Sequence, residues 1–183
     1  ALLALNLPSV KNFGEIEFWF AMIKIVAICA LIIVGAIMVA TSFTTPSGAH
    51  AQVANLWNDG GFFPNGATGF LGAFQIAVFA FMGSELVGTT AAETQNPMVT
   101  LPKAINSVPV RILIFYVGAL IVILMVNPWR EIDPAKSPFV TMFTLAGIAI
   151  AAHIVNVVVL TSATSSANSG IFSTSRMVYG LSQ

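Results

Sequence analysis

Two charged side chains, Lys24 and Glu85, fall well inside long apolar runs, away from ends and loops. A charge in hydrocarbon is costly, so each should face a cavity, a partner or a proton path. Glu85 stands in FAFMGSELVGTTAAE, directly after Gly83 and Ser84. Glycine loosens the backbone there, and the freed carbonyls and amides can hold a ligand beside a hydroxyl and a carboxylate. The C-terminal end of a half-helix adds partial negative charge, suited to an ammonium group. The plainer alternative makes Gly83 a packing notch and Glu85 a buried hydrogen-bond partner. Lys24 also has two readings. Its long stem can carry the ammonium to the headgroups, or burial can disfavour the charged amine and let it load and release a proton.

A third cluster lies near the C-terminal end: Thr161, Ser162, Thr164, Ser165, Ser166, Asn168 and Ser169. Ser162, Ser165 or Ser166, and Ser169 share one face of a helix. Such residues let helices approach closely and hydrogen-bond across the contact. The alternative is that Ser162, Ser165 or Ser166 binds Lys24 or a coupling cation. Cys29 reads as a small packed hydrophobe, His50 as a solvated loop residue and His153 as a neutral packed one.

These groups need elements to carry them. Of the 183 residues 57% are hydrophobic and 8% charged, with seven basic and seven acidic side chains. A water-soluble domain carries about 25% charged residues, so the expected solvent is lipid. Zero net charge gives no reason to expect nucleic acid, and one cysteine cannot build a disulfide framework. Neither GxGxxG nor GxxxxGK[ST] occurs, so nucleotide-driven pumping has no support. The opening ALLALNLPSV lacks the charged start and cleavage site of a signal peptide. It reads as the tail of a helix, and the chain as a fragment.

Four segments approach the roughly 20 residues needed to cross a bilayer: 17–43, 69–92, 110–127 and 137–180. All should be helices, since a lone strand in lipid leaves its backbone unpaired. The connection 44–66 has no Lys or Arg but carries Trp57, Phe62 and Phe63. With 44–66 outside, Lys11, Lys103, Arg111 and Arg176 are cytoplasmic, and Arg130 and Lys136 lie outside. The last segment should be one long tilted helix with a cytoplasmic extension.

The stretches VKNFGEIEFWFAMIKIVAI, FQIAVFAFMGSELVGTTAAETQNPMVTLPKAINSVPVRI and VVLTSATSSANSGIFSTSRMVYGL cover most of the chain. In them the sequence resembles bacterial permeases of the amino acid–polyamine–organocation superfamily. The resemblance implies an all-α, polytopic membrane helix bundle, here a fragment of a twelve-helix transporter built on two inverted five-helix repeats. Residues 1–8 then end helix 4, and the four segments are helix 5, broken helix 6, helix 7 and helix 8. The family pattern of an aromatic six positions before a glutamate falls on Phe79 and Glu85. Phe79 is then the gate over the substrate. Ala80, Phe81, Met82, Gly83 and Ser84 line the site, and Glu85 is a proton-linked carboxylate. The helix-5 lysine of proton-coupled relatives falls on Lys24. Many relatives carry Trp where Phe79 stands, which bears on substrate size.

The implied function is import of small neutral amino acids (glycine, D-alanine, D-serine) across the bacterial inner membrane by proton symport with alternating access. The implied partners are the amino acid, the lipid bilayer and the remaining helices of a longer chain; no cofactor is implied beyond the proton. A nutrient-sensing receptor that kept the fold without transport is the alternative. No Ser–His or Asp–Asp arrangement for a membrane-embedded enzyme is evident, so covalent chemistry is not expected.

Overall fold

The computed structural model describes residues 10–82, 88, 94–148 and 150–182, and within them it is all-helical apart from a single bridge between Thr44 and His50. Helix α1 spans Val10–Ala40. After a 3-10 turn at Val53–Leu56, α2 spans Gly66–Ala77 and tightens into a second 3-10 turn at Val78–Ala80. Helix α3, Pro97–Arg111, passes through a π-helical turn at Ile112–Val117 into α4, Gly118–Val126. A short 3-10 turn at Trp129–Glu131 precedes α5, Pro138–Leu145, and α6, Ala151–Leu181.

Two stretches, Asn12–Ala40 and Pro97–Val126, are long and apolar enough to cross a membrane, yet only 17% of the most apolar window of each is buried. At 31 residues α1 is about 45 Å long, more than the hydrocarbon core of about 30 Å. Trp19, Ile33 and Leu120 are all more than half exposed. Side chains of this kind require an apolar surrounding beyond the chain's own core.

The chain divides into two compact units. One comprises Ala1–Val26, Met82–Val110 and Asn156–Gln183; the other comprises Ala27–Phe81 and Arg111–Val155. The second unit holds the apolar core. Leu31 and Met38 of α1 pack with Ala119, Val122, Ile123 and Val126 of α4, Met142 and Phe143 of α5, and Ala151 and Val155 of α6. Gly35, buried on α1, lies against Val122 and Met142, which leaves no room for a side chain.

The loop that follows α1 is strapped to the end of α4. The buried Asn55 side chain donates to the His50 and Met125 carbonyls, each at 2.8 Å, and Gln52 N–H also donates to Met125 O at 2.9 Å. Met125 lies in the last turn of α4, where carbonyls lack helical partners. Asn55→Leu is expected to lower stability by about 1–3 kcal/mol, since it removes both part-buried hydrogen bonds that this buried side chain makes. The check is the thermal unfolding midpoint of the full-length protein in detergent; an unchanged midpoint would mean the loop is anchored by other contacts. The connections after α1 and after α4 also meet. Ser47 donates to Glu131 at 2.6 Å, and Trp129 Nε1 donates to Asp59 O at 3.1 Å. They therefore lie at one end of this unit, as the outside assignment of both requires.

Several boundaries differ from the sequence expectation. Helix α1 starts at Val10 rather than at 17, and ends at Ala40. There Phe43 N–H bonds Met38 O, Ser42 N–H bonds Val39 O, and Ser42 takes a left-handed φ of 49°. That pattern closes a helix C-terminus. The third helical run begins at Pro97, not 110, with Pro102 and Pro109 inside it. Pro109 cannot donate to a preceding carbonyl, and the wider π-turn follows directly, where such an interruption of the ladder is taken up.

The single helix expected over 137–180 is corrected: α5 stops at Leu145 and α6 starts at Ala151. Ile148 N–H bonds Phe143 O, Gly147 N–H bonds Thr144 O, and Gly147 has φ 80°. Glycine occupies that conformation without a Cβ penalty and terminates the helix. Residues 1–8, expected to end a preceding helix, lie outside the described residues.

Candidate functional site

The first unit brings four of the polar side chains on its helices to one place. On α1, Glu17 and Lys24 are seven residues apart and so share a face about two turns apart. On α6, Ser165 and Asn168 are three residues apart and share a face in the same way. Lys24 Nζ donates to Ser165 Oγ at 3.0 Å. Ser165 Oγ in turn donates to Glu17 Oε2 at 2.5 Å, and Asn168 Nδ2 donates to Glu17 Oε1 at 2.9 Å. Ser165 is 4% exposed and Asn168 0%. Both charged side chains are partly buried. The ammonium end and the carboxylate are thus joined through one hydroxyl.

Hydrogen bonds to charged groups each contribute about 1.5–3 kcal/mol, and the cluster fixes the contact between the two helices within this unit. An aromatic contact lies alongside it: Phe13 stacks on Phe172 with ring centroids 4.1 Å apart, and Arg176 lies over the Phe172 ring at 4.9 Å.

Among the three serines proposed from sequence to meet Lys24, Ser165 is the one that bonds it. Ser162 is half-buried and Ser166 exposed on a different face. The neighbouring threonines turn their hydroxyls to their own helix, Thr161 to Val157 O at 3.0 Å and Thr164 to Leu160 O at 2.8 Å. Such back-bonding leaves the serine face to make the contact between helices.

Glu17 was missed in the sequence. As the first residue of the expected 17–43 segment it reads as an end charge, which leaves Lys24 and Glu85 as the charges expected away from ends and loops. That is corrected: α1 begins at Val10, so Glu17 lies about two turns into the helix and within the cluster. His153, expected to be packed, is exposed.

The proposed substrate segment begins at the end of α2. The α-helix stops at Ala77, and Phe79 and Ala80 belong to the 3-10 turn. Phe81 and Met82 continue as a turn. Phe79 is 69% exposed, and the Phe81 and Met82 side chains are exposed too. Aromatic contacts lead into and along the same helix, from Phe63 ahead of it to Phe70 at 5.3 Å and from Phe70 to Phe74 at 5.0 Å. Gly83, Ser84 and Glu85 lie outside the described residues.

Comparison with known proteins bears on both features. The family model described as amino acid permease matches residues 1–183, the whole chain. The chain is 65% identical over 182 residues to a D-serine/D-alanine/glycine transporter of Escherichia coli, covering 100% of this chain and 39% of that protein. It is 58% identical over 182 residues to the amino-acid permease AapA of Bacillus subtilis, covering 100% of this chain and 39% of the relative. It is 50% identical over 182 residues to the DL-alanine permease SerP2 of Lactococcus lactis, with the same coverage of 100% and 39%. The chain thus spans about 39% of the length of these relatives. No solved structure matches it.

Proposed function

The chain belongs to the amino acid permease family, and from that membership we propose that the full-length protein imports small neutral amino acids by proton symport. Family membership makes the chain part of a multi-pass protein of the bacterial inner membrane. Glycine, D-alanine and D-serine are the proposed substrates. The observation that carries this is the 65% identity, across the whole chain, to a relative named for those three amino acids.

The proposed cycle is alternating access, and no covalent bond is made or broken in it. The substrate ammonium docks at the break after α2, lined by Phe79, Ala80, Phe81, Met82, Gly83 and Ser84. The carboxylate is met by the N-terminal end of another half-helix, outside this chain. Phe79 closes over the bound amino acid. The coupling proton is carried by Lys24 with Ser165, and by Glu85. The bond of Lys24 to Ser165 supports the first of these assignments. A change of protonation biases the outward- and inward-facing states only as far as it stabilises one more than the other.

The test is uptake of labelled glycine and D-alanine by the full-length protein in cells that lack their own uptake. The expected result is saturable uptake, competed by unlabelled D-serine and collapsed by a protonophore. Binding of these amino acids without flux would overturn transport and favour a receptor on the same fold.

A further inference from the structure

We infer that Glu17 is a positioning residue for proton coupling: it takes the only hydrogen of the Ser165 hydroxyl, so that the contact of Lys24 with α6 responds to the proton. This rests on the proton-symport reading above. The argument starts from the hydrogen count. Serine has one O–H and two acceptor lone pairs, and an ionised carboxylate only accepts. Ser165 Oγ stands 2.5 Å from Glu17 Oε2, in the range of a hydroxyl donating to a carboxylate. Asn168, fully buried, donates to the other oxygen at 2.9 Å and fixes the carboxylate. Ser165 therefore presents only lone pairs to Lys24.

The consequence lies in what happens when Lys24 gives up its proton. A neutral amine has a lone pair as well as N–H groups. A free serine hydroxyl could rotate and donate to that lone pair, and the contact between α1 and α6 would survive deprotonation. With its hydrogen held by Glu17, Ser165 cannot reverse. The contact is a charge-assisted bond when Lys24 is an ammonium, and only an ordinary N–H donation when it is an amine. Glu17 thus turns a bond that would persist in both states into one that weakens with proton release. Of the other described charges in this unit, Glu15 and Lys103 are exposed, and Arg176 lies over the Phe172 ring about three turns along α6 from Ser165.

The experiment uses the full-length protein reconstituted in proteoliposomes, with labelled glycine as the probe. Two activities are compared: accumulation driven by an imposed pH gradient, and glycine-for-glycine exchange without a gradient. Glu17→Gln keeps the shape of the side chain but lets its amide donate to Ser165, freeing the hydroxyl to reverse. It is expected to lower gradient-driven accumulation about tenfold, with exchange changed less than about twofold. Glu17→Asp, which keeps the charge, is expected to restore part of the driven accumulation. Ser165→Ala removes the hydroxyl itself and should lower gradient-driven accumulation by at least as much, which covers the case in which Glu17→Gln does not reach the membrane. Equal loss of both activities in the Glu17 variants would make the cluster merely structural and overturn the inference; full driven accumulation by Glu17→Gln or by Ser165→Ala would do so too. Wild-type protein that exchanges glycine but ignores the gradient would instead defeat the symport reading itself.

Discussion

Lys24→Ala, introduced into the full-length protein, is expected to reduce pH-gradient-driven uptake about 100-fold, the effect of losing about 3 kcal/mol of charged hydrogen bonding from a state of the cycle. The reason is local. Lys24 supplies the donor to Ser165 at 3.0 Å, and nothing in alanine replaces it. The loss leaves the partly buried Glu17 beside Ser165 and Asn168 with its cationic neighbour gone. A second substitution separates charge from proton handling. Lys24→Arg keeps the positive charge, but guanidinium does not release a proton in the working range of a protein. It is expected to remain as deficient in driven uptake as alanine. Initial rates of labelled glycine uptake at fixed external pH, with and without a protonophore, read both variants. Full driven uptake by Lys24→Ala would remove Lys24 from the coupling mechanism.

The second large effect is structural. Gly35→Ala is expected to reduce the amount of folded, membrane-inserted protein severely. A Cβ at position 35 would overlap Val122 Cγ1 and lie 2.8 Å from Met142 Cε. The Met142 methyl can swing aside, but Val122 is short and branched, so relief there requires α1 to back away from α4, within a core that includes the fully buried Leu31, Val126 and Met142. Overpacking a dense interior typically costs about 1–3 kcal/mol, and the deep overlap with Val122 places this site at the upper end. Fluorescence-detected size-exclusion of a tagged full-length protein would show a shifted or vanished monodisperse peak. A wild-type profile would show that the three helices do not approach as closely at Gly35 as described. Gly72→Ala, at a glycine with open space around its would-be Cβ, is the matched control.

How far the sequence carried these conclusions depended on the kind of signal. Charges and hydroxyls in apolar runs are conspicuous because they are costly there, so Lys24 and the stripe from Ser162 to Ser169 stood out. Choosing Ser165 over Ser166 did not follow from spacing. Adjacent helical residues point about 100° apart, and which one meets a neighbour is set by the neighbour's position. Glu17 was hidden by a boundary: placing the start of α1 seven residues late turned an interior carboxylate into a terminal one. The break at Gly147 was legible in principle, as a glycine in an apolar helix, but glycine also serves as a packing notch in membrane helices. Its φ of 80° and the two bonds that close the turn distinguish the two roles. The early start of α3 ran against the propensity of Pro102 and Pro109, and the apolar run continuing to Val126 prevailed.

The central claim is that amino-acid movement and proton movement are one event. The measurement that addresses it most directly uses full-length protein in proteoliposomes that trap a pH-sensitive dye, with labelled glycine outside and the membrane potential clamped at zero. The account predicts that an inside-alkaline gradient drives glycine above its equilibrium distribution, and that adding glycine without a gradient acidifies the interior. Glycine entry that reaches only equilibrium under the gradient, with no glycine-dependent acidification, would contradict it.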